Sequence, residues 1–220
     1  MIHLFTHIPK TGGTSFKRSV IDQNIEPRRV YKYHGLRSFA VDDLSGISFV
    51  DGHYPFGIHH FTNQKCIYYT ILRDPIDHAI SFYHFVKQSC YLNYKHPRIH
   101  EAQTLDLVGF TRLHANMQSK MIAGLPWNKL CITPSSLILK AAISHLKHKY
   151  ACFGLLEKIE AFEHQVASLN GFECKPIYER TKVTRSRPMV QDLTEAEILE
   201  LTHILRYDIA LYNFAKSEVK

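Results

Sequence analysis

The stretch HIPKTGGTSF, residues 7–16, places a lysine, two glycines and three hydroxyl side chains where a predicted strand gives way to a predicted helix. Glycines let the backbone approach a ligand closely, and the first N–H groups of a helix lie at the positive end of its dipole. A lysine at the mouth of such a loop adds a point charge, and the hydroxyl groups add donors. These features predict a phosphate-binding loop made of Lys10, Thr11, Gly12, Gly13, Thr14 and Ser15.

The order of residues in this loop differs from that of a Walker A motif. In a Walker A motif the lysine follows the second glycine and precedes a hydroxyl residue that binds Mg²⁺. Lys10 instead precedes both glycines, and no clear Walker B acid follows an apolar strand. The order therefore disfavours nucleotide hydrolysis with Mg²⁺. A glycine turn that only caps a helix is the alternative for the loop taken alone.

A second candidate for phosphate binding lies in YTILRDPIDHAISFYHF, residues 69–85. Arg73 ends a predicted strand, Asp74-Pro75 is a good helix start, and Ser81 follows on the predicted helix. Ligands of open parallel sheets bind at the carboxyl ends of the strands, so Arg73 and the first loop can contact one nucleotide. An arginine fork with a hydroxyl suits a second phosphate. The alternatives are a local Arg73–Asp74 ion pair and a solvated Ser81.

The elements that must position these residues alternate between short apolar runs and longer helical patterns. This alternation favours an α/β layer architecture with a mostly parallel sheet. The predicted strands cover residues 2–6, 47–50, 66–72 and 150–154. The predicted helices cover residues 14–24, 74–87, 110–123, 133–148, 157–169 and 193–214.

Composition limits the partners. A net charge of +7 with 15 histidines favours an anionic ligand, such as nucleotide phosphates, an acidic glycan, nucleic acid or an anionic membrane surface. Nucleic acid is disfavoured, because no basic run is interleaved with aromatic residues and no known binding module occurs. No apolar run approaches the ~18 residues of a membrane helix, and no signal peptide is recognised.

The cysteines indicate neither a disulfide framework nor a zinc cluster. They are odd in number and widely spaced, without a CxxC pair, which is compatible with a reducing compartment. They are Cys66, Cys90, Cys131, Cys152 and Cys174. A chain of 220 residues also suits one core, so a single domain over residues 1–220 is expected.

Together, PKTGGTSF and the later LRDPIDHAISFYHF resemble the two cofactor-binding signatures of the sulfotransferase family. The resemblance is closest to the branch that includes heparan sulfate 2-O- and 6-O-sulfotransferases and their bacterial relatives. It extends, in the right order, to GHYPFG, NMQSKMIAG, FGLLEKIEAF, VTRSRP and the C-terminal DIALYNFA. The likeness thus covers nearly the whole chain.

The resemblance implies a three-layer, P-loop-like α/β fold with a central, mostly parallel sheet flanked by helices. It implies 3′-phosphoadenosine 5′-phosphosulfate (PAPS) as sulfonate donor, PAP as product and no metal. The first loop would bind the 5′-phosphosulfate, and Arg73 with Ser81 would bind the 3′-phosphate. Arg185 and Arg187 would close over the nucleotide, although a solvated basic loop is the alternative for these two residues.

The acceptor hydroxyl needs a base, and His53 in FVDGHYPFG is the predicted one. It follows a predicted strand and matches the histidine of the family at this place, and an imidazole is neutral and basic near pH 7. Lys10 would stabilise charge on the leaving phosphate oxygen without a metal. Asp51 is the alternative base, or a residue that orients His53. Three further histidines are expected to line the pocket or the surface, namely His34, His59 and His60.

The acceptor is expected to be a hydroxyl of a carbohydrate or glycoconjugate, and an anionic one. Basic and aromatic residues within 90–125 would form its groove, with rings stacking on the sugar. They are Tyr91, Tyr94, Lys95, His96, Arg98, His100, Arg112 and His114. A solvated variable insertion is the alternative for this segment.

Two functions from other classes compete with this hypothesis. One is a P-loop kinase or hydrolase, which the order of Lys10 and the glycines disfavours. The other is a catalytically silent nucleotide- or glycan-binding module, which the joint presence of Lys10 and His53 disfavours. The lack of an N-terminal anchor suggests a bacterial cytoplasmic enzyme, or a Golgi-lumen one if the chain is a trimmed part of a longer protein. The oligomeric state stays open.

Overall fold

The fold is built on a parallel β-sheet. The computed structural model describes residues 1–91, 94–124, 135–175 and 187–219. Within these ranges five strands form the sheet: β1 (Ile2–Thr6), β2 (Val30–Lys32), β3 (Phe49–Asp51), β4 (Cys66–Leu72) and β5 (Tyr150–Leu155). Their order is β2-β3-β1-β4-β5, and every neighbouring pair is parallel. The central β1 is buried along its whole length, as expected for a strand covered on both faces.

Helices of unequal length surround the sheet. In the described ranges they are α1 (Gly13–Phe16), α2 (Asp22–Asn24), α3 (Leu36–Val41), α4 (Pro75–Gln88), α5 (Ile99–Thr104), α6 (Leu107–Leu113), α7 (Met117–Ala123), α8 (Ser135–His148), α9 (Ile159–Asn170), α10 (Glu195–Ile204) and α11 (Arg206–Glu218). A π-helical segment, Lys17–Ile21, joins α1 and α2 into one helical run. None of the described helices is long and apolar enough to cross a membrane.

The strands separate two hydrophobic layers. Successive side chains of a strand point to opposite faces, and accordingly Leu4 and Phe5 belong to different clusters. On the face of Phe5, the sheet packs against Phe16 of α1 and Phe162 of α9. On the face of Leu4, it packs against α8 and α11. These three layers around a parallel sheet confirm the predicted fold class.

The strand predictions are confirmed with one omission. The predicted strands at residues 2–6 and 66–72 have the same bounds as β1 and β4. The strand predicted at residues 47–50 is β3, Phe49–Asp51, which begins two residues later. Strand β2 was not predicted. It has only three residues, none fully buried, and lies at the sheet edge, so it lacks an apolar run that could identify it.

Two predicted helices are each interrupted: residues 110–123 form parts of α6 and α7, and residues 193–214 form parts of α10 and α11. One residue, Asn116, contacts both interruptions. Asn116 separates α6 from α7 and adopts a left-handed conformation with φ 56°. Its side chain donates to the Ile204 carbonyl and accepts from Tyr207 and Asp208 N–H groups, where α10 gives way to α11. These contacts span about 90 positions, so local periodicity could not reveal them.

Candidate functional site

The phosphate-binding loop lies at the carboxyl end of β1, between the carboxyl ends of β3 and β4. Its helix begins at once: the N–H groups of Ser15 and Phe16 donate to the Gly12 carbonyl at 2.9 and 3.1 Å. The N–H groups of the first turn, at Gly13 and Thr14, have no acceptor within a helix. They therefore lie where an anion can accept from them.

Both glycines of the loop are required by its packing. Gly12 adopts φ 89°, which side-chain-bearing residues rarely adopt, and a Cβ there would lie 2.7 Å from Leu156 Cδ1. A Cβ on Gly13 would overlap the His7 ring and the Phe5 ring. The loop thus packs directly on its neighbours, which a larger residue at either position would prevent.

Four consecutive carbonyls, those of residues 7–10, each accept a hydrogen bond from a side chain. The donors and acceptors are His53 Nδ1 to His7 (2.7 Å), Thr11 Oγ1 to Ile8 (2.9 Å), His78 Nε2 to Pro9 (2.8 Å) and Arg73 Nη1 to Lys10 (2.7 Å). Each peptide plane is therefore fixed by a bond that involves no ligand. Such a loop can meet charge with little reorganisation.

Lys10 carries the most constrained backbone of the loop. Its φ is 66°, a left-handed conformation that is uncommon outside glycine, and its carbonyl accepts from Arg73. Its Nζ lies 4.7 Å above the centre of the Phe85 ring on α4, a cation–π contact. The charge of Lys10 therefore lies between the loop and the C-terminal half of α4.

Arg73 links the two predicted phosphate sites. It is 8% exposed, and besides the Lys10 carbonyl it contacts Asp77, with Nε and Nη2 at 2.7 and 2.6 Å from Oδ2. Burial lowers the pKa of Arg73, whereas the negative charge of Asp77 acts to raise it. Asp74 does not pair with Arg73; its carboxylate caps α4 by accepting from the N–H groups of Ile76 and Asp77. The alternative of an Arg73–Asp74 ion pair is therefore wrong.

The structure also brings Arg187 to this place. Its Nη1 lies 2.7 Å from Asp77 Oδ1, and its side chain is only 14% exposed. The interpretation of Arg187 as part of a solvated loop is therefore wrong. Arg185 lies outside the described residues.

Ser81 is buried on α4, two turns after Arg73, with 2% exposure, so the alternative of a solvated residue is wrong. Among the described residues its hydroxyl has no hydrogen-bond partner. A buried hydroxyl without a partner is destabilising, and most such groups in proteins are bonded. A polar ligand group beside Arg73 would satisfy it, so these residues fit a phosphate.

His53 is exposed and follows β3, beside the loop. Its Nδ1 bonds to the His7 carbonyl, and a carbonyl can only accept, so Nδ1 carries the proton and Nε2 is the basic nitrogen. The His7 ring lies 4.4 Å from it. The orienting partner of His53 is thus the His7 carbonyl, and among the described residues the Asp51 carboxylate makes no hydrogen bond to His53.

The three other histidines predicted to line the pocket or the surface are either exposed or bonded to residues outside the loop. His34 is exposed, and His59 bonds to the Tyr68 hydroxyl at 3.0 Å. His60 is exposed and stacks on His59, with 4.0 Å between ring centres. None of them has a contact with the loop that resembles that of His53.

The residues proposed for the acceptor groove, within 90–125, do not all lie together: two of them pack near Phe85, and the others have different partners or are exposed. His96 packs edge-on against Phe85, the ring that Lys10 covers, and Tyr94 packs on His96. Burial lowers the pKa of His96, and the positive charge of Arg98 lowers it further. Arg112 instead pairs with Glu200 of α10. His114, whose side chain is largely buried, and the exposed Arg98 both contact Glu101 and each other. The remaining members are exposed, namely Tyr91, Lys95 and His100.

Sequence reasoning missed Asp77, His78 and Phe85, all within the segment 69–85 that it singled out. The i, i+4 spacing of Arg73 and Asp77 on a helix was a usable signal for the first. His78 is 4% exposed, and burial lowers its pKa to about 4, so it is a neutral donor to Pro9. Nothing local in the sequence distinguishes it from the other histidines.

The described residues hold no group of three or more His, Cys, Asp or Glu side chains arranged to bind a metal. The four cysteines among them are unpaired, and Cys131 lies outside the described residues. The site is therefore described by its phosphate-binding loop, its buried arginine and its histidine at the strand end.

A parallel sheet with this glycine loop at the carboxyl end of its central strand defines a protein of the α/β class. A sequence profile of the sulfotransferase family matches residues 3–215, and the chain belongs to that family. Its structure is similar to the crystal structure of mouse sulfotransferase SULT7A1 complexed with PAP, with a TM-score of 0.51 and 14% identity over 98% of this chain and 88% of that one. A search of curated protein sequences finds no significant match.

Proposed function

We propose that the protein transfers the sulfonate group of PAPS to a hydroxyl group of an acceptor. Its membership of the sulfotransferase family supports this activity. The observation that carries the proposal is the 2.7 Å bond from Arg73 to the Lys10 carbonyl, because it joins the two phosphate-binding elements at one place. A nucleotide with phosphates at both its 5′ and 3′ ends needs this arrangement.

The donor would contact both elements. The loop from Lys10 to Ser15 offers helix N–H groups, hydroxyls and a charge to the 5′-phosphosulfate. Arg73, Arg187 and the Ser81 hydroxyl offer charged and neutral donors to the 3′-phosphate. The mouse relative whose crystal structure contains PAP supports this choice of nucleotide.

In the reaction, PAPS supplies an activated sulfonate and a phosphate leaving group. Nε2 of His53 accepts the proton of the attacking hydroxyl, while Nδ1 donates to the His7 carbonyl and keeps the ring oriented. Lys10 Nζ is the cation that meets charge growing on the leaving oxygen. The ammonium can leave the Phe85 face for this purpose, since it has a flexible four-carbon stem.

The proposed acceptor is an anionic carbohydrate or glycoconjugate, as in the heparan sulfate 2-O- and 6-O-sulfotransferase branch that the motifs resemble. Tyr94 and His96 support it, because His96 packs on the Phe85 ring that Lys10 Nζ covers and Tyr94 packs on His96. The backbone N–H of Arg98 donates to His96 Nδ1, so a further positive residue follows in the chain. The net charge of +7 also favours an anionic partner. A panel of acidic polysaccharides, neutral glycans, glycolipids and phenols tests this, and exclusive sulfonation of a neutral phenol would contradict it.

The donor is tested by thermal unfolding with adenosine 3′,5′-bisphosphate, AMP or ATP with Mg²⁺. A ligand that binds only the folded state stabilises it by ~2.7 kcal/mol at a hundredfold excess over Kd. The bisphosphate should raise Tm without metal, and AMP should raise it much less. An equal or larger shift with Mg²⁺-ATP would contradict the proposal and favour a P-loop kinase or hydrolase.

A further inference from the structure

The Asp77 carboxylate lies between two arginines that are distant in sequence. Oδ2 accepts from Arg73 Nε and Nη2 at 2.7 and 2.6 Å, and Oδ1 accepts from Arg187 Nη1 at 2.7 Å. Asp77 is on the first turn of α4, and Arg187 precedes α10, 110 positions later. One carboxylate thus fixes both guanidinium groups, each through its own oxygen.

This arrangement is partly buried and has a net positive charge. The side-chain exposures are 9% for Arg73, 24% for Asp77 and 14% for Arg187. Burial raises the pKa of Asp77, but Arg73 and Arg187 outweigh this, so the pKa is lowered overall and the group is an anion. Two cations share one anion, so a further anion is still attracted.

Arg73 extends the arrangement to the phosphate-binding loop. The same guanidinium that contacts Asp77 donates through Nη1 to the carbonyl of Lys10. An arginine has five N–H donors, and these bonds use three of them. The remaining donors are available to a ligand beside the buried Ser81 hydroxyl.

We propose that Asp77 is a positioning residue for recognition of the 3′-phosphate: its carboxylate keeps the Arg73 and Arg187 guanidinium groups side by side so that both contact that phosphate. The inference rests on the proposed function. Two adjacent guanidinium groups repel each other, and the carboxylate between them offsets that repulsion and fixes their planes. The arginines are then oriented before the nucleotide binds, which reduces the entropy lost on binding.

Simple charge repulsion by Asp77 predicts the opposite change in bisphosphate affinity when Asp77 is neutralised. If Asp77 only added negative charge beside the phosphate, its neutralisation would strengthen binding of the bisphosphate by removing repulsion. If Asp77 positions the arginines, the same change weakens that binding. The direction of the change therefore distinguishes the two roles.

The experiment is calorimetric titration of the full chain with adenosine 3′,5′-bisphosphate and with AMP, in the absence of metal. The ratio of their Kd values isolates the 3′-phosphate. We expect Asp77→Asn to reduce this preference at least tenfold while the Kd of AMP changes less than threefold. The matched control is Glu200→Gln, which removes the same charge from the Arg112 pair and should leave the preference unchanged.

The outcomes separate this inference from the proposed function. Wild-type protein without a preference for the bisphosphate contradicts the proposed function. A wild-type preference that Asp77→Asn leaves unchanged or increases overturns the role of Asp77 alone. Adding Arg187→Gln to Asp77→Asn should reduce the preference by less than the product of the single effects, because the two residues act through one contact.

If Asp77→Asn does not fold, Asp77→Glu carries the test. The longer side chain keeps the charge but displaces both guanidinium groups, so the preference should fall between threefold and tenfold. An unchanged or increased preference overturns the inference in this variant as well.

Discussion

The proposed donor side and the proposed acceptor side of the site differ in how their polar groups are fixed. On the donor side, Arg73, His78 and Ser81 are each less than 9% exposed, and side chains bond to every carbonyl of residues 7–10. On the acceptor side, Tyr94 is 54% exposed and Arg98 is exposed as well. Burial and bonding are thus concentrated where the nucleotide is proposed to bind.

This difference matches the demands of the two halves of the reaction. Charge develops on the donor, and groups that stabilise it are effective only if they are oriented beforehand. An acceptor is selected by contacts that exposed loops can vary without disturbing the fold. We therefore expect substitution of a buried donor-side group such as Arg73 to affect donor binding, turnover and folding together. Substitution of the exposed His53 should affect turnover, and substitutions on the proposed acceptor side should affect only acceptor binding.

The largest expected effects separate His53 from Lys10. His53→Ala should leave Kd for the bisphosphate within twofold but reduce kcat by ~10² to 10⁴, the range for loss of a general base. Lys10→Ala should raise the donor Kd and reduce kcat, because the ammonium meets the donor in the ground state and the transition state.

His60→Ala is the control for His53, since it removes another exposed histidine that stacks on His59. Its kcat should match that of the wild type. A His53→Ala enzyme with normal kcat would exclude this base and favour Asp51. A variant that also lost bisphosphate binding would indicate a structural role, through the bond to the His7 carbonyl.

The next effect concerns the stability of the loop against acid. Burial lowers the pKa of His78 to about 4, below the 6.5 of an unfolded histidine. Between these values the unfolded chain binds a proton that the folded chain does not, so the free energy of unfolding falls as pH falls. The contribution of His78 is about 2 kcal/mol between pH 7 and pH 5.

His78→Gln keeps an N–H donor for the Pro9 carbonyl but cannot titrate in this range. Urea unfolding at both pH values should therefore show a smaller loss in this variant than in the wild type. Burial also lowers the pKa of His3 to about 4, so part of the loss should persist. His100→Gln, at an exposed position, is the matched control; a loss in His78→Gln as large as in the wild type would contradict the prediction.

The sequence could predict the donor side because its signals are local. The loop lies within ten consecutive residues, 7–16, and Arg73, Pro75 and Ser81 follow one strand in a single segment. Parallel strands bring their carboxyl ends together, so convergence of the two segments followed from the fold class. The family resemblance added the donor and the proposed role of His53.

The groups that fix the site could not be predicted in the same way. His53 and His78 bond to carbonyls 46 and 69 positions away, and Asp77 pairs with Arg187 across 110. Such contacts depend on packing and leave no period in the sequence. Sequence spacing predicts the acceptor segment as one unit, but in the structure Arg112 pairs with Glu200 of α10, whereas His96 packs on Phe85.

The smallest expected effect compares two arginines of the acceptor segment. Arg98 and Arg112 are both exposed, with side-chain exposures of 45% and 64%, and each substitution by alanine removes one positive charge. The backbone N–H of Arg98 donates to His96, and its guanidinium contacts His114 and Glu101, so Arg98→Ala removes a positive charge near His96. It should raise KM for an anionic oligosaccharide about threefold to tenfold, with kcat and donor Kd unchanged. Added salt should reduce the difference, because exposed charges are screened over ~8 Å at physiological ionic strength. Arg112→Ala should leave KM unchanged; equal effects of both substitutions would show that the acceptor responds to net charge alone and has no groove beside Phe85.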